Sequence, residues 1–279
     1  MKVTQIPSSH KVFLSHPTAT PNPWIICHKP NSSARLRLFC FPYGGGSASL
    51  FRTWPDNLPQ DVEVCAIQLP GRGARLQEPP FTRLLQLVQT LAQVLRPYLT
   101  VPFAFFGHSL GAFISFELLR QLRKQNVHSP LHLFVSAQRA PQLPDPDPPI
   151  HDLPESDLVE EIRCRYDGIP QEVLENADLM SLLLPALRAD FTILETYRYI
   201  DEKPLDCPIT SFGGLQDCSM KQENLAAWRD QTYNSFALRM FPGDHFFIES
   251  ARTQLLEALS NDLNQSLRAN MQDERPKWA

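Results

Sequence analysis

The chain has 279 residues, enough for one large α/β domain or two small domains, and 43% of them are hydrophobic, as in ordinary globular proteins. Its formal net charge of −4 excludes the basic field on which nucleic-acid binding depends. None of its apolar runs is long enough to span a membrane, and its six cysteines show neither a CxxC pair nor zinc-like spacing. We therefore expect a cytoplasmic monomer with reduced thiols that binds no nucleic acid, membrane or metal.

Strand and helix patterns alternate over the first half of the chain. A polar lead-in at residues 1–22 comes first and carries no signal-peptide pattern. Hydrophobic periodicity then predicts strands at 24–28, 36–41, 62–69, 103–107 and 131–136, and helices at 47–57, 82–98 and 110–124. This alternation is typical of an α/β fold with a mostly parallel sheet and helices on both faces.

The alternation stops between residues 141 and 200. Helical patterns at 157–165 and 178–197 follow a proline-rich stretch, and no strand pattern appears. Ligand sites of open α/β sheets lie at the carboxyl ends of the strands, so we predict that this insertion forms a mobile lid over that edge.

The alternation resumes after the insertion. The predicted strands are 209–213 and 236–241, and the predicted helices are 222–231 and 247–267. We therefore assign residues 23–268 to one domain that includes the lid, and residues 269–279 to a tail.

A glycine-flanked serine, Ser109, lies between the predicted strand 103–107 and the predicted helix 110–124. The surrounding sequence is Gly-His-Ser-Leu-Gly, and small residues are required where a strand turns sharply into a helix. This pattern favours the nucleophile elbow of the α/β-hydrolase fold, with Ser109 as the nucleophile. The alternative is a glycine-rich connection in which the serine only caps the helix.

A serine nucleophile requires a base and an acid, which follow it in this fold in the order acid, then histidine. Of the eight histidines, only His245 follows a late strand. Asp217 follows the strand before that one and is the predicted acid. Two alternatives stay open: Asp217 as a helix N-cap, and Asp145 or Asp147 as the acid.

The glycine-rich loop after the strand 36–41 is the predicted oxyanion loop. A backbone N–H from such a loop and the N–H of the residue after the nucleophile stabilise the oxyanion. We assign these donors to Gly44, with Gly45 as the second choice, and to Leu110.

The chain resembles the type II (external, editing) thioesterases that accompany nonribosomal peptide synthetases and polyketide synthases. That family includes the medium-chain acyl-carrier-protein thioesterases. The resemblance extends over residues 36–259. The matching stretches include FCFPYGGGSASLFRTW from Phe39, VCAIQLPGRGARLQEPP from Val64, FFGHSLGAFISFEL from Phe105, FVSAQRAP from Phe134, PLDCPITSFGGLQD from Pro204 and RMFPGDHFFI from Arg239.

The resemblance implies a serine thioesterase that has no cofactor and uses Ser109, Asp217 and His245. Its partners would be carrier proteins with acyl groups on their phosphopantetheine arms. Separately, the apolar composition of the lid helices leads us to expect that Leu184 and Leu187 line the acyl pocket. The family usually has alanine at the position of Gly44, which changes little because the backbone N–H does the chemistry. The alternatives are a medium-chain acyl-carrier-protein or acyl-CoA thioesterase, a general esterase, an acyltransferase and an inactive binding relative.

Overall fold

Residues 22–166 and 171–273, which the computed structural model describes, contain a single seven-stranded sheet. The strand order is β1-β3-β2-β4-β5-β6-β7. The strands are Ile25–Ile26 (β1), Leu36–Phe41 (β2), Val62–Ile67 (β3), Phe103–His108 (β4), His132–Ser136 (β5), Ile209–Gly214 (β6) and Phe236–Phe241 (β7). Only β1 is antiparallel, on the edge beside β3. The predicted α/β-hydrolase fold is confirmed.

Helices cover both faces of the sheet. The α-helices are Leu84–Leu95 (α1), Leu110–Lys124 (α2), Glu155–Tyr166 (α3), Gln171–Leu174 (α4), Ala177–Thr196 (α5), Gln222–Ala226 (α6), Phe247–Ser250 (α7) and Arg252–Asp273 (α8). None of the described helices combines the length and apolar character needed to cross a membrane.

The two faces of the sheet are apolar because side chains alternate along each strand. In β2, Phe39 and Phe41 pack into the core beneath α1 and α2, whereas Leu38 and Cys40 pack into the core beneath α8. Strands β3, β4 and β5 are buried along their whole length. Burial on both faces explains why these strands read as continuous apolar runs in the sequence.

The insertion forms helices α3, α4 and α5, which we call the lid. These helices have a hydrophobic cluster of their own, which includes Leu158, Ile162 and Leu184. Helix α5 is preceded by its N-cap residue Asn176, whose side chain accepts hydrogen bonds from the backbone N–H groups of Asp178 and Leu179.

Several helices differ in type or in their last residue from the predicted ones, mostly because of proline. The predicted helix 47–57 is two 3₁₀ turns, since Pro55 lacks the N–H that an α-helix would use. The predicted helix 82–98 becomes 3₁₀ at Arg96, just before Pro97. Helix α8 extends to Asp273, into the predicted tail; residues 1–21, in the predicted lead-in, lie outside the described residues.

Candidate active site

Ser109 occupies a strained turn between β4 and α2. Its backbone has φ 52° and ψ −116°, a conformation that non-glycine residues seldom adopt. The Ser109 N–H donates to the carbonyl of Ser136 at 2.7 Å, which ties the turn to the end of β5. Neighbouring contacts therefore hold the serine in the strained conformation.

The two glycines of the motif have no room for a side chain. A Cβ on Gly107 would lie 2.0 Å from the carbonyl oxygen of Gly111, and a Cβ on Gly111 would lie 2.2 Å from the carbonyl oxygen of Phe41. The Ser109 side chain makes no capping hydrogen bond to α2. The alternative interpretation of Ser109 as a helix cap therefore does not describe this turn.

His245, which follows β7, and Asp217, which follows β6, are joined by a hydrogen bond. The Nδ1 atom of His245 lies 2.9 Å from Oδ2 of Asp217, and both side chains are buried. An ionised carboxylate only accepts, so Nδ1 carries the proton and Nε2 is left as the basic nitrogen. This is the tautomer that a general base for a serine requires.

Asp217 receives further hydrogen bonds from Ser219, which donates its N–H at 2.9 Å and its hydroxyl at 2.6 Å to Oδ1. Burial acts to raise the pKa of Asp217, but the hydrogen bonds from His245 and Ser219 outweigh it and lower the pKa. Asp217 is therefore held ionised. Sequence reasoning did not identify Ser219.

The alternative roles for the acid do not fit the geometry. Helix α6 is preceded by Lys221 at its N-cap, so Asp217 does not cap it. Asp145 forms an ion pair with Arg139 at 3.0 Å. Within residues 22–166 and 171–273, neither Asp145 nor Asp147 is hydrogen-bonded to His245.

Ser109 and His245 face a common cavity of about 40 Å³. No hydrogen bond joins Ser109 Oγ to His245 within the described part of the chain, as is common in hydrolases without substrate. The lid closes the cavity with Ile162, Tyr166, Leu187, Phe191 and Leu194. Of the two predicted pocket leucines, Leu187 lines this cavity, whereas Leu184 packs inside the lid.

The oxyanion candidates Gly44, Gly45 and Leu110 differ in their surroundings. Gly44 lines the cavity beside Ser109 and His245. The N–H of Gly45 is engaged, because it donates to Oδ2 of Asp190 at 2.7 Å. Leu110 is the first residue of α2, where an N–H has no acceptor within the helix. Gly44 and Leu110 are thus the better placed donors.

His108, to which the sequence analysis assigned no role, holds the backbone of His245 through a hydrogen bond. It is fully buried, its Nε2 lies 2.9 Å from the backbone oxygen of His245, and its Nδ1 lies 2.8 Å from Ser136 Oγ. A carbonyl oxygen only accepts, so Nε2 carries the proton and Nδ1 accepts from the serine hydroxyl. Burial lowers the pKa of His108 to about 3, which keeps the ring neutral.

No group of three or more metal-ligating side chains is found in the part of the chain that the structure describes. The groups that the arrangement offers for chemistry are Ser109, His245, Asp217 and two backbone donors. A hydroxyl, an oriented imidazole and a buried carboxylate suit acyl transfer to water.

Comparison with known proteins agrees with this chemistry. A family model described as "Thioesterase domain" matches residues 36–263. The gramicidin S biosynthesis protein GrsT of Aneurinibacillus migulanus is 46% identical over 242 residues, which are 87% of this chain and 94% of that protein. Thioesterase PikA5 of Streptomyces venezuelae is 35% identical over 241 residues, or 86% of this chain and 85% of that protein.

A solved structure gives the same result. The type II thioesterase BorB from the borrelidin biosynthetic cluster matches with a TM-score of 0.80 at 33% sequence identity, covering 88% of this chain and 100% of that chain. The chain belongs to the thioesterase family, within its type II branch.

Proposed function

We propose that this chain hydrolyses acyl thioesters on the phosphopantetheine arm of carrier proteins of nonribosomal peptide or polyketide synthesis, with Ser109, His245 and Asp217 as its triad. The observation that carries the proposal is that Ser109 and His245 line one cavity beneath the lid, and that His245 is hydrogen-bonded to Asp217. Its relatives in gramicidin S and borrelidin biosynthesis support the assembly-line setting.

In the acylation step, Ser109 Oγ attacks the thioester carbonyl carbon while Nε2 of His245 takes the hydroxyl proton. The N–H groups of Gly44 and Leu110 donate to the oxyanion that forms. The carbon–sulfur bond then breaks, and the pantetheine sulfur leaves as a thiol with the proton from His245. Ser109 is left as an acyl ester.

In the deacylation step, Nε2 of His245 takes a proton from water, and the resulting hydroxide attacks the acyl ester. The bond to Ser109 Oγ breaks, the serine regains its proton from His245, and a carboxylic acid is released. The Asp217 carboxylate remains ionised throughout, because its role is to orient and stabilise the imidazolium.

The size of the cavity favours short acyl groups. The cavity of about 40 Å³ and a second cavity of about 40 Å³ that Ser109 and His245 also line each correspond to roughly three water molecules on a scale of 10–15 Å³ each. An acetyl or propionyl group fits this space with little rearrangement, whereas an octanoyl group requires the lid to move. Removal of short misloaded groups from carriers is therefore the proposed activity, ahead of release of medium-chain products.

The test compares acetyl and octanoyl carrier protein, acetyl-CoA and a simple nitrophenyl ester as substrates for the wild type and Ser109→Ala. We expect kcat/KM to be highest for acetyl carrier protein and hydrolysis to be lost in Ser109→Ala. Ser115→Ala is the matched control, since it removes another buried hydroxyl, from α2, that lies outside the cavity. Equal turnover of the nitrophenyl ester and the carrier substrate would indicate a general esterase instead.

A further inference from the structure

A buried ion pair ties the lid to the body of the protein. Asp190 of α5 and Arg72 of the turn after β3 are 1% and 4% exposed. Arg72 Nη1 donates to Asp190 Oδ2 at 2.5 Å, and Arg72 Nη2 donates to Asp190 Oδ1 at 2.8 Å. This two-point geometry fixes the carboxylate in one orientation.

The same carboxylate holds the oxyanion loop. The N–H of Gly45 donates to Asp190 Oδ2 at 2.7 Å, while Arg72 Nη1 approaches the carbonyl oxygen of Gly46 at 3.4 Å. The ion pair therefore contacts the N–H of Gly45 and the carbonyl of Gly46.

The loop also lies directly against α5. A Cβ on Gly45, which has φ +77°, would lie 2.7 Å from Leu187 Cδ2, and a Cβ on Gly44 would lie 3.6 Å from Asp190 Cβ. Three successive glycines have little conformational preference of their own, so an oxyanion donor placed among them needs an external constraint. Asp190 supplies that constraint from the lid.

A purely stabilising role is a weak explanation for this pair. Desolvation of two charges offsets much of their attraction, and an apolar pair of similar volume commonly serves stability as well or better. Here the Asp190 carboxylate also accepts from the N–H of Gly45. Gly45 adjoins Gly44, which lines the cavity together with Ser109.

We propose that Asp190, oriented by Arg72, is a positioning residue that sets the Gly44 N–H in the oxyanion hole, so that the hole is complete only when α5 is seated. This inference rests on the proposed function of Gly44 and Ser109. The lid then has two roles, because the helix that encloses the acyl group also completes the site that stabilises the transition state.

The test compares Asp190→Asn and Arg72→Lys with the matched control Glu63→Gln. Glu63 is likewise buried, accepts from Arg37 Nε at 2.9 Å and accepts from the N–H of Asn31 at 2.9 Å, but it lies in β3 outside the cavity. Thermal unfolding, kcat and KM on acetyl carrier protein, and binding of a trifluoromethyl ketone analogue of acyl-pantetheine are measured for each variant.

We expect kcat of Asp190→Asn and Arg72→Lys to fall about tenfold to a hundredfold with KM within about threefold, since a misplaced donor costs less than a deleted one. Affinity for the ketone, whose adduct places an oxyanion in the hole, should fall by the same factor. Glu63→Gln should lose thermal stability and keep both kcat and ketone affinity.

Retention of ketone affinity by a folded Arg72→Lys or Asp190→Asn variant would overturn the inference. Arg72→Lys keeps the buried charge and loses only the two-point geometry, so it decides the matter if Asp190→Asn fails to fold. Ketone binding does not depend on which thioester is turned over. If the wild type binds the ketone tightly but does not hydrolyse carrier thioesters, the proposed function is contradicted. The comparison of ketone affinity between the variants would still decide the role of Asp190.

Discussion

The His108 ring donates a hydrogen bond from Nε2 to the backbone carbonyl of His245 across 2.9 Å, so the residue before the nucleophile supports the proposed base. The other ring nitrogen, Nδ1, accepts a hydrogen bond from the Ser136 hydroxyl. Because both ring nitrogens are used and the ring is fully buried, His108 has no capacity left for proton transfer to substrate.

We predict that His108→Leu costs about 1–3 kcal/mol of stability, because it leaves the His245 carbonyl and the Ser136 hydroxyl unsatisfied in the core. Urea denaturation at pH 7 measures this loss. In the pH profile of kcat/KM, the midpoint of the acid limb should be the same for His108→Leu as for the wild type, since the pKa of His108 is about 3 in the wild type. A midpoint that moves by a full pH unit would show that His108 titrates in the working range.

The acid assignment predicts a large asymmetry between two aspartates. Asp217→Asn removes the acceptor that selects the His245 tautomer, and we expect kcat to fall on the order of ten-thousand-fold. Asp145 lines a cavity that contains Ser109 and His245 but is paired with Arg139, so Asp145→Asn weakens that ion pair and should change kcat less than threefold. Steady-state kinetics on acetyl carrier protein distinguishes the two. An essential Asp145 together with a dispensable Asp217 would reverse the assignment.

The cavity predicts which lid leucine controls chain length. Leu187→Phe fills space beside Ser109, so we expect it to lower octanoyl turnover at least tenfold more than acetyl turnover. Leu182→Phe is the control on the same helix, because Leu182 is 47% exposed and lies outside the cavity. Turnover of acetyl, butyryl and octanoyl carrier protein provides the measurement. Identical chain-length profiles for the two variants would show that the lid does not bound the acyl site.

Two buried histidines predict how stability depends on pH. Burial lowers the pKa of His108 to about 3 and that of His132 to about 4, against about 6.5 when unfolded. Between pH 4 and 6.5 the unfolded chain therefore binds protons that the folded chain does not. The resulting stability is complete above pH 6.5 and falls on acidification, by about 1.4 kcal/mol per pH unit for each histidine.

The contribution of His132 can be isolated by substitution. His132→Gln should reduce the pH dependence of the unfolding free energy between pH 4.5 and 6 by about 1.4 kcal/mol per pH unit. The exposed His128→Gln serves as control and should leave the slope unchanged. Chemical denaturation at three pH values in this window is sufficient. An unchanged slope in His132→Gln would mean that the ring is already charged in the folded protein.

Local sequence determined the elbow and the order of the site residues. The Gly-His-Ser-Leu-Gly turn was predictable because part of its constraint is short-range: a Cβ at Gly107 would clash with the backbone of Gly111 in the same motif. The positions of Asp217 and His245 after successive strands followed from topology, since carboxyl ends of neighbouring parallel strands share one edge.

Only the tertiary structure decided which glycine of the loop is engaged and which lid side chains reach the site. Gly44 and Gly45 are neighbouring glycines of one loop, yet of these two it is Gly45 whose N–H donates to Asp190, 145 residues further along the chain. Likewise Leu184 and Leu187 are both buried leucines of α5, but only Leu187 is among the residues that line the cavity. Local periodicity predicts that a helix has a buried face, whereas the packing of that helix on distant segments decides what each buried side chain contacts.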